Sequence, residues 1–228
     1  MINHVRNTVL TVLNKENRGF ITPQQFNSYA KHAQQLIFNQ KISEYSRMVS
    51  ARNSRMVATD FMDRVDILKS NLEVFTEETS VTKTLTRYIK PTDFQHLVSL
   101  RYSNKEVEQV SRDKERYLVD SNLTAPTDTY PVFVDRGSDI ILYPQTLAGA
   151  VDFIYIRNPK DPKWTYNTIG ENPVFNINAS DYQDFELDQD ESVNLIVEVL
   201  KLTGVTIREA EVTQAATTID QVNTSKEA

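Results

Sequence analysis

Apolar side chains recur at helical spacing through the first third of the chain. Ile2, Val5, Val9 and Leu13 predict a short first helix that ends near Asn14. A longer stripe consists of Phe26, Tyr29, Ala30, Ala33 and Ile37, with Leu36 alongside, and it resumes at Tyr45 and Met48. It predicts a helix to about residue 50, roughly 40 Å long, which favours a stem that packs against other helices or other subunits.

The start of this long helix carries clear capping signals. Thr22 is a suitable N-cap, and Pro23 fits the first helical position. Gln25 lies three residues after the cap, where it can complete a capping box. The sequence therefore predicts a helix that begins at Thr22 or Pro23.

The residues before this helix also resemble a calcium-binding EF-hand loop. Within residues 14–25, Gly19 occupies loop position six, as in an EF-hand. However, position five is Arg18, position twelve is Gln25 instead of a bidentate Glu, and Glu16 would be the only carboxylate. We therefore expect a turn and a helix N-terminus here and no metal site.

Residues 60–75 predict a third helix, after which the pattern becomes β-type. We predict a strand at residues 81–88, a hairpin of 97–102 with 106–110, a hairpin of 130–135 with 139–143, a further meander strand at 151–156, and a strand at 174–177. The predicted fold class is α+β: an N-terminal long-helix hairpin or bundle, a small antiparallel β-sheet module and C-terminal helices. The predicted segments are residues 1–75, 76–187 and 188–228, integrated into one domain.

The C-terminal part begins with a second candidate capping box. Asp188 and Glu191 precede an apolar helical pattern that ends before Gly204. The polar segment that follows, residues 208–228, has few apolar side chains. It predicts either a mobile tail or an arm that a partner orders.

Charge is distributed unevenly over the chain, whose net charge is −6. Residues 1–60 contain eight Lys or Arg and three Asp or Glu, or +5, whereas residues 171–228 contain three and twelve, or −9. Such polarity suits a subunit that meets unlike neighbours, although two differently solvated faces would produce the same counts. The 228 residues include no Cys, and the three His lie far apart, so thiolate chemistry is excluded and no metal or cofactor is expected.

Arginines cluster near the predicted end of the long helix. Arg47, Arg52 and Arg55 lie in a stretch without acidic residues. They are candidates for contact with phosphate or with an acidic partner surface, and the alternative is a solvated helix end.

Aromatic residues surround the Pro-rich connection near residue 160. Trp164 and Tyr166, together with Tyr155, would form a stacking surface for a sugar if their faces were accessible. Aromatic residues at such a place also close the edge of a sheet, and this reading remains open beside a carbohydrate-binding module.

Acidic residues are dense around residue 184. Asp184, Glu186 and Asp188 could supply a carboxylate pair for a small hydrolase, but a solvated acidic loop before a helix N-terminus explains the same residues. The chain contains no glycine-rich phosphate loop and no nucleophile elbow. We expect a protein that is not an enzyme.

Several sequence segments, in order along nearly the whole chain, resemble a family of virion structural proteins from crAss-like and related tailed phages of gut Bacteroidetes. The matching segments are Asn14–Phe26 with the helix to Phe38, Tyr130–Val134, Ile140–Pro144, Phe153–Pro159 with Pro162–Tyr166, and Phe185–Leu187 leading to Leu200–Arg208.

This resemblance implies a ring protein of the head–tail connector or tail barrel, a homo-oligomer that is typically a dodecamer. Its implied partners are the portal or neighbouring ring and tail proteins, and double-stranded DNA that passes through the lumen without specific binding. The implied location is the virion, after synthesis in the host cytoplasm. No membrane partner and no catalytic residue is implied.

Overall fold

The structure is a computed structural model that describes residues 1–15, 21–53, 60–170 and 172–203. The chain forms two compact units. Unit 1 consists of residues 1–39 and the chain from Lys160 onwards, and unit 2 consists of residues 40–159. These divisions fall at other places than the predicted segment boundaries at residues 75 and 187.

The described elements confirm the predicted α+β class. The helices are α1 (Ile2–Lys15), α2 (Pro23–Asn53), α3 (Asp60–Glu73), α4 (Glu115–Val119) and α5 (Ser192–Leu202). The strands are β1 (Thr76–Thr82), β2 (Tyr88–Ile89), β3 (Phe94–Tyr102), β4 (Lys105–Glu106), β5 (Glu108–Val110), β6 (Val132–Asp135), β7 (Asp139–Tyr143), β8 (Ala150–Arg157), β9 (Tyr166–Ile169) and β10 (Asn172–Phe175).

The predicted capping box at the start of α2 is present. The backbone N–H of Gln25 donates to Oγ1 of Thr22 at 3.3 Å, and the N–H of Thr22 donates to Oε1 of Gln25 at 3.0 Å. Each side chain thus accepts a hydrogen bond from a backbone N–H that has no partner within the helix. Residues 16–20, five of the twelve positions of the loop compared with an EF-hand, lie outside the described residues.

The core of unit 1 is formed where α1 packs against α5 and by the N-terminal part of α2. Its buried side chains are Ile2, Val5, Val9, Leu13, Phe26, Ala30, Ala33, Ile37, Phe38, Leu195, Val199 and Leu200. The predicted apolar stripes therefore identify this core. Leu36, which was placed beside the stripe, is 40% exposed.

The second predicted capping box does not form. Asp188 makes no side-chain capping bond, and a single 3₁₀ turn at Gln189–Glu191 precedes α5. The carboxylate of Glu191 instead accepts a hydrogen bond from Nδ2 of Asn194 at 2.7 Å. The predicted helix itself is confirmed as α5, while the proposed stop at Gly204 lies outside the described residues.

Unit 2 contains two four-stranded sheets. The first has the strand order β1-β8-β3-β4, and the second has the order β2-β7-β6-β5. Both sheets contribute to one buried cluster, with Leu100, Phe153 and Tyr155 from the first and Phe133 and Leu142 from the second. The two sheets therefore pack face to face, as expected for strands that each need one covered face.

The hairpin of β6 and β7 has the predicted antiparallel pairing. Both strands are buried on both faces, because Ile140 and Leu142 point into the shared cluster while Ile141 and Tyr143 join a second cluster with Leu118 of α4. Because both faces of these strands are covered, their sequences are continuously apolar and do not alternate between apolar and polar residues.

Three strand predictions were wrong in detail. Strand β8 was expected to continue the meander after β7, but it pairs with β1 and β3 in the other sheet. The predicted strand 81–88 is interrupted after Thr82, where Leu85 adopts a positive φ of 58°. The predicted return strand 106–110 is divided, because β4 pairs with β3 whereas β5 runs parallel to β6.

Two amide side chains of α2 hold the coil around residues 160–186 in unit 1. Asn27 accepts from the backbone N–H of Trp164 at 2.8 Å and donates to its carbonyl at 3.2 Å. Gln34, only 1% exposed, donates to the carbonyl of Lys160 at 2.8 Å and accepts from the N–H of Glu186 at 3.1 Å. Backbone groups without strand partners are satisfied in this way.

We predict that Gln34→Leu lowers the free energy of unfolding by about 2 kcal/mol, because it removes two part-buried hydrogen bonds, to the carbonyl of Lys160 and from the N–H of Glu186. Urea denaturation measures the change. Gln24→Leu, at an exposed position of the same helix, is the control and should stay within about 0.5 kcal/mol. Equal effects of the two substitutions would contradict the role given to Gln34.

Candidate functional site

The aromatic residues singled out by the sequence form a packed cluster in unit 1. Trp164 is 2% exposed, and its ring centroid lies 5.6 Å from that of Tyr166 and 5.9 Å from that of Phe175. Cζ of Arg6 lies 3.8 Å from the indole centroid. We call Arg6, Trp164, Tyr166 and Phe175 the Trp164 cluster.

The faces of the indole are therefore not available to a sugar in this structure. The indole N–H is also occupied, because it donates to Oδ1 of Asn3 at 3.1 Å. Tyr155 is 1% exposed and belongs to the core of unit 2, and Tyr166 alone of the three rings is accessible, at 40%. Trp164 and Tyr155 are thus each buried within their own unit, and a sugar could reach neither ring in this structure.

Arg6 is the member of the cluster that sequence reasoning missed. It lies in the buried stripe of α1, between Ile2 and Val9, and it is only 6% exposed. Its Nε is buried without a hydrogen-bond partner among the described residues. Burial lowers the pKa of the guanidinium from its ordinary value. The available signal was a cation at a position where the helical spacing called for an apolar residue.

Asp184 caps the start of α1. Its carboxylate accepts hydrogen bonds from the amino group of Met1 at 2.8 Å, from the N–H of Ile2 at 2.7 Å and from the N–H of Phe185 at 2.8 Å. Burial raises the pKa of Asp184, but these three donors outweigh it and hold the pKa below its ordinary value of 3.8. A negative charge at a helix N-terminus is favourable, so this residue has a clear structural role.

The other two candidate acidic residues are engaged differently. A carboxylate oxygen of Glu186 accepts from the N–H of Lys160 at 2.7 Å, whereas Asp188 is exposed before the 3₁₀ turn. Nearby, Asp181 pairs with Lys163 at 2.6 Å. Asp184 and Glu186 thus both bind backbone donors, and neither occupies the kind of open site that a hydrolytic carboxylate pair requires.

The basic candidates are only partly described. Arg47 is exposed on α2. Arg52 falls in the last turn of α2, but its side chain lies outside the described part of the chain, as does the whole of Arg55. The prediction that these arginines contact a phosphate or an acidic surface stays a prediction.

Unit 2 contains a polar cluster that the sequence did not reveal. NH2 of Arg136 donates to both carboxylate oxygens of Glu115, at 2.9 and 3.2 Å, and the hydroxyl of Tyr143 donates to the same carboxylate. The pKa of Glu115 is lower than its ordinary value. The hydrogen bond from Tyr143 lowers it most, burial raises it, and Arg136 lowers it further. The pKa of Tyr143 is raised, mainly by burial and to a smaller extent by the neighbouring Glu115 carboxylate. The cluster attaches α4 to β7 and leaves no free base.

Large apolar side chains remain exposed in each unit. In unit 1 the two-stranded ribbon of β9 and β10 exposes Ile169 (67%) and Val174 (45%). In unit 2 Ile67, Val74 and Val98 are 59%, 59% and 54% exposed. A two-stranded ribbon also has unpaired backbone groups along its outer edges, so it is a suitable contact surface for another chain.

The described ranges contain no group of three or more His, Asp or Glu residues placed to hold a metal ion. None of the helices within them is both long enough and apolar enough to cross a membrane. Comparison with known proteins finds no family model and no curated protein that matches the chain. A functional proposal therefore depends on the residues themselves.

We predict that Asp184→Asn lowers the free energy of unfolding by about 1 kcal/mol near neutral pH, since it removes a charge-assisted cap from α1 and the site is partly exposed. Asp188→Asn, at an exposed position, is the matched control and should have no measurable effect.

The same variant should also change the acid dependence of stability. Because the pKa of Asp184 is lower in the folded chain than its ordinary value of 3.8, its contribution is complete above that value and is lost as the pH falls through the folded pKa. The difference between wild type and Asp184→Asn should therefore narrow below pH 3.8. Denaturation curves at a series of pH values measure this, and a constant difference would refute the capping role.

Proposed function

We propose that this chain is a virion structural protein: a ring subunit of a tailed-phage head–tail connector or tail barrel. The observation that carries the proposal is the ordered set of sequence segments that resemble such ring proteins. In the structure these segments fall in both units, on α2, β6, β7, β8 and α5 and on the coil around Trp164. The proposed role requires no catalysis.

Surface properties of the described residues support this role. The exposed side chains of Ile169, Val174, Ile67 and Val98 are ones that neighbouring chains would cover. Heterologous contacts between identical subunits close into a ring when the rotation permits, and twelve copies are proposed here from the resemblance. The portal or an adjacent ring would occupy the remaining surfaces.

Charge supports a role along the path of the genome. Residues 171–228 carry a net charge of −9, and Asp188 and Asp190 are exposed. Negative charge at the wall of a channel lets double-stranded DNA pass without adhering to it. We propose that the acidic part of the chain faces the lumen or the neighbouring ring.

Particles purified from a phage that encodes this chain test the proposal. The chain should be present in a fixed copy number by quantitative mass spectrometry, and labelling of an epitope-tagged copy should place it at the neck or the tail. Its absence from purified infectious particles would rule the proposal out, as would turnover of a substrate by the purified chain at an enzymatic rate.

Charge reversal tests the position of the acidic residues. We predict that Asp188→Lys with Asp190→Lys slows DNA release from assembled particles, because cations in the lumen would hold the phosphates, and that the delay shrinks at high salt. Glu78→Lys with Glu108→Lys, at two exposed positions of unit 2, is the matched control. Equal release rates for both double variants would contradict a luminal location.

A further inference from the structure

Arg6 differs from the other buried cations in the described part of the chain. Arg157 is 7% exposed, and its Nε donates to Glu77 at 2.7 Å. The side chain of Lys90, 8% exposed, pairs with Asp135 at 2.8 Å. Arg6 is as buried as these two, at 6%, yet no hydrogen bond or ion pair joins its guanidinium to any described residue.

This arrangement is unfavourable for a chain by itself. The charge of Arg6 is largely removed from water and has no counter-charge among the described residues. This is unfavourable, and the attraction between the cation and the indole face offsets only part of the penalty. A hydrophobic side chain at position 6 would complete the stripe of Ile2, Val9 and Leu13 without such a cost. Arg6 is costly where the described residues leave it, so we expect it to serve a contact beyond them.

The geometry indicates what Arg6 can bind. Stacking on Trp164 uses the face of the guanidinium and leaves its edge, where the N–H donors lie, free to bind. Nε is fully buried, and because the terminal amino groups have no partner but are not among the fully buried atoms, they reach the surface. A planar donor edge of this kind matches the two oxygens of a carboxylate.

We propose that Arg6, supported by Trp164, is a recognition site for a carboxylate side chain of a second copy of the chain. Carboxylates are in excess, with 31 Asp and Glu against 25 Lys and Arg, so a neighbouring copy can supply one. The backbone of DNA is a poor fit, since phosphate tracking requires several accessible cations, and the other members of the Trp164 cluster are uncharged. The inference rests on the self-assembly in the proposed function.

Substitution of Arg6 by an apolar residue separates recognition from structure. In Arg6→Met the thioether can still pack on the indole, so the denaturation midpoint of the dilute chain should be equal to or higher than that of wild type. The dissociation constant for self-association, from sedimentation velocity, should rise at least about tenfold. Arg157→Met is the matched control, and it should lower the midpoint because it leaves Glu77 without its partner.

Arg6→Lys provides a second test that does not depend on tolerance of an apolar residue. It keeps the charge but loses the planar donor edge, so it should fold and still associate more weakly than wild type. Sodium acetate should weaken wild-type association more than sodium chloride at equal ionic strength, and this difference should disappear in Arg6→Met.

Three results would overturn the inference. The first is a wild-type chain that stays monomeric at every concentration. If acetate also raises the denaturation midpoint of that monomer, the site binds a free small carboxylate and not a second copy. The second is association of Arg6→Met or Arg6→Lys with wild-type affinity. The third is a midpoint for Arg6→Met as low as that of Arg157→Met, which would make Arg6 a structural residue. The first result would also count against self-assembly and hence against a ring subunit. The second and third leave self-assembly intact, so they overturn the inference alone.

Discussion

Hydrogen bonding by side-chain amides is the constraint on which unit 1 depends. The coil that carries Trp164 has to satisfy its backbone groups next to a helix, and a helix has no free backbone donors along its sides. Asn27 solves this at Trp164 by pairing with both its N–H and its C=O, as a neighbouring strand would. Gln34 lies seven residues later, on the same helix face, and repeats the solution for Lys160 and Glu186.

Three carboxylates of the described residues are also engaged in hydrogen bonds. Asp184 caps the N-terminus of α1, and Glu186 accepts a hydrogen bond from a backbone N–H. Glu115 accepts hydrogen bonds from the side chains of Arg136 and Tyr143. In Asp184 and Glu115 these hydrogen bonds hold the pKa of the carboxyl group below its ordinary value. Asp184 and Glu186, two of the acidic residues that suggested catalysis in the sequence, thus each bind backbone donors, while Asp188 is exposed.

The sequence predicted the parts of the molecule whose signals are local. The stripes of α1 and α2, the cap at Thr22 and the hairpin of β6 and β7 each depend on residues close together in the chain. The pairing of β8 with β1 and β3 could not be predicted, since it joins residues far apart in the chain. Val81 of β1, for example, pairs with Val151 of β8, which lies 70 positions later. The burial of Trp164 and Arg6 was likewise hidden, because the residues that cover them come from both ends of unit 1.

The discontinuity of unit 1 has a consequence for the order of events on the ribosome. Residues 1–39 are made before unit 2, yet their packing partners, Trp164 and α5, are made only after the whole of unit 2. Until then the apolar faces of α1 and α2 are uncovered, while unit 2 already holds every strand of its two sheets. Domains generally fold as units during synthesis, so unit 2 is expected to fold before unit 1.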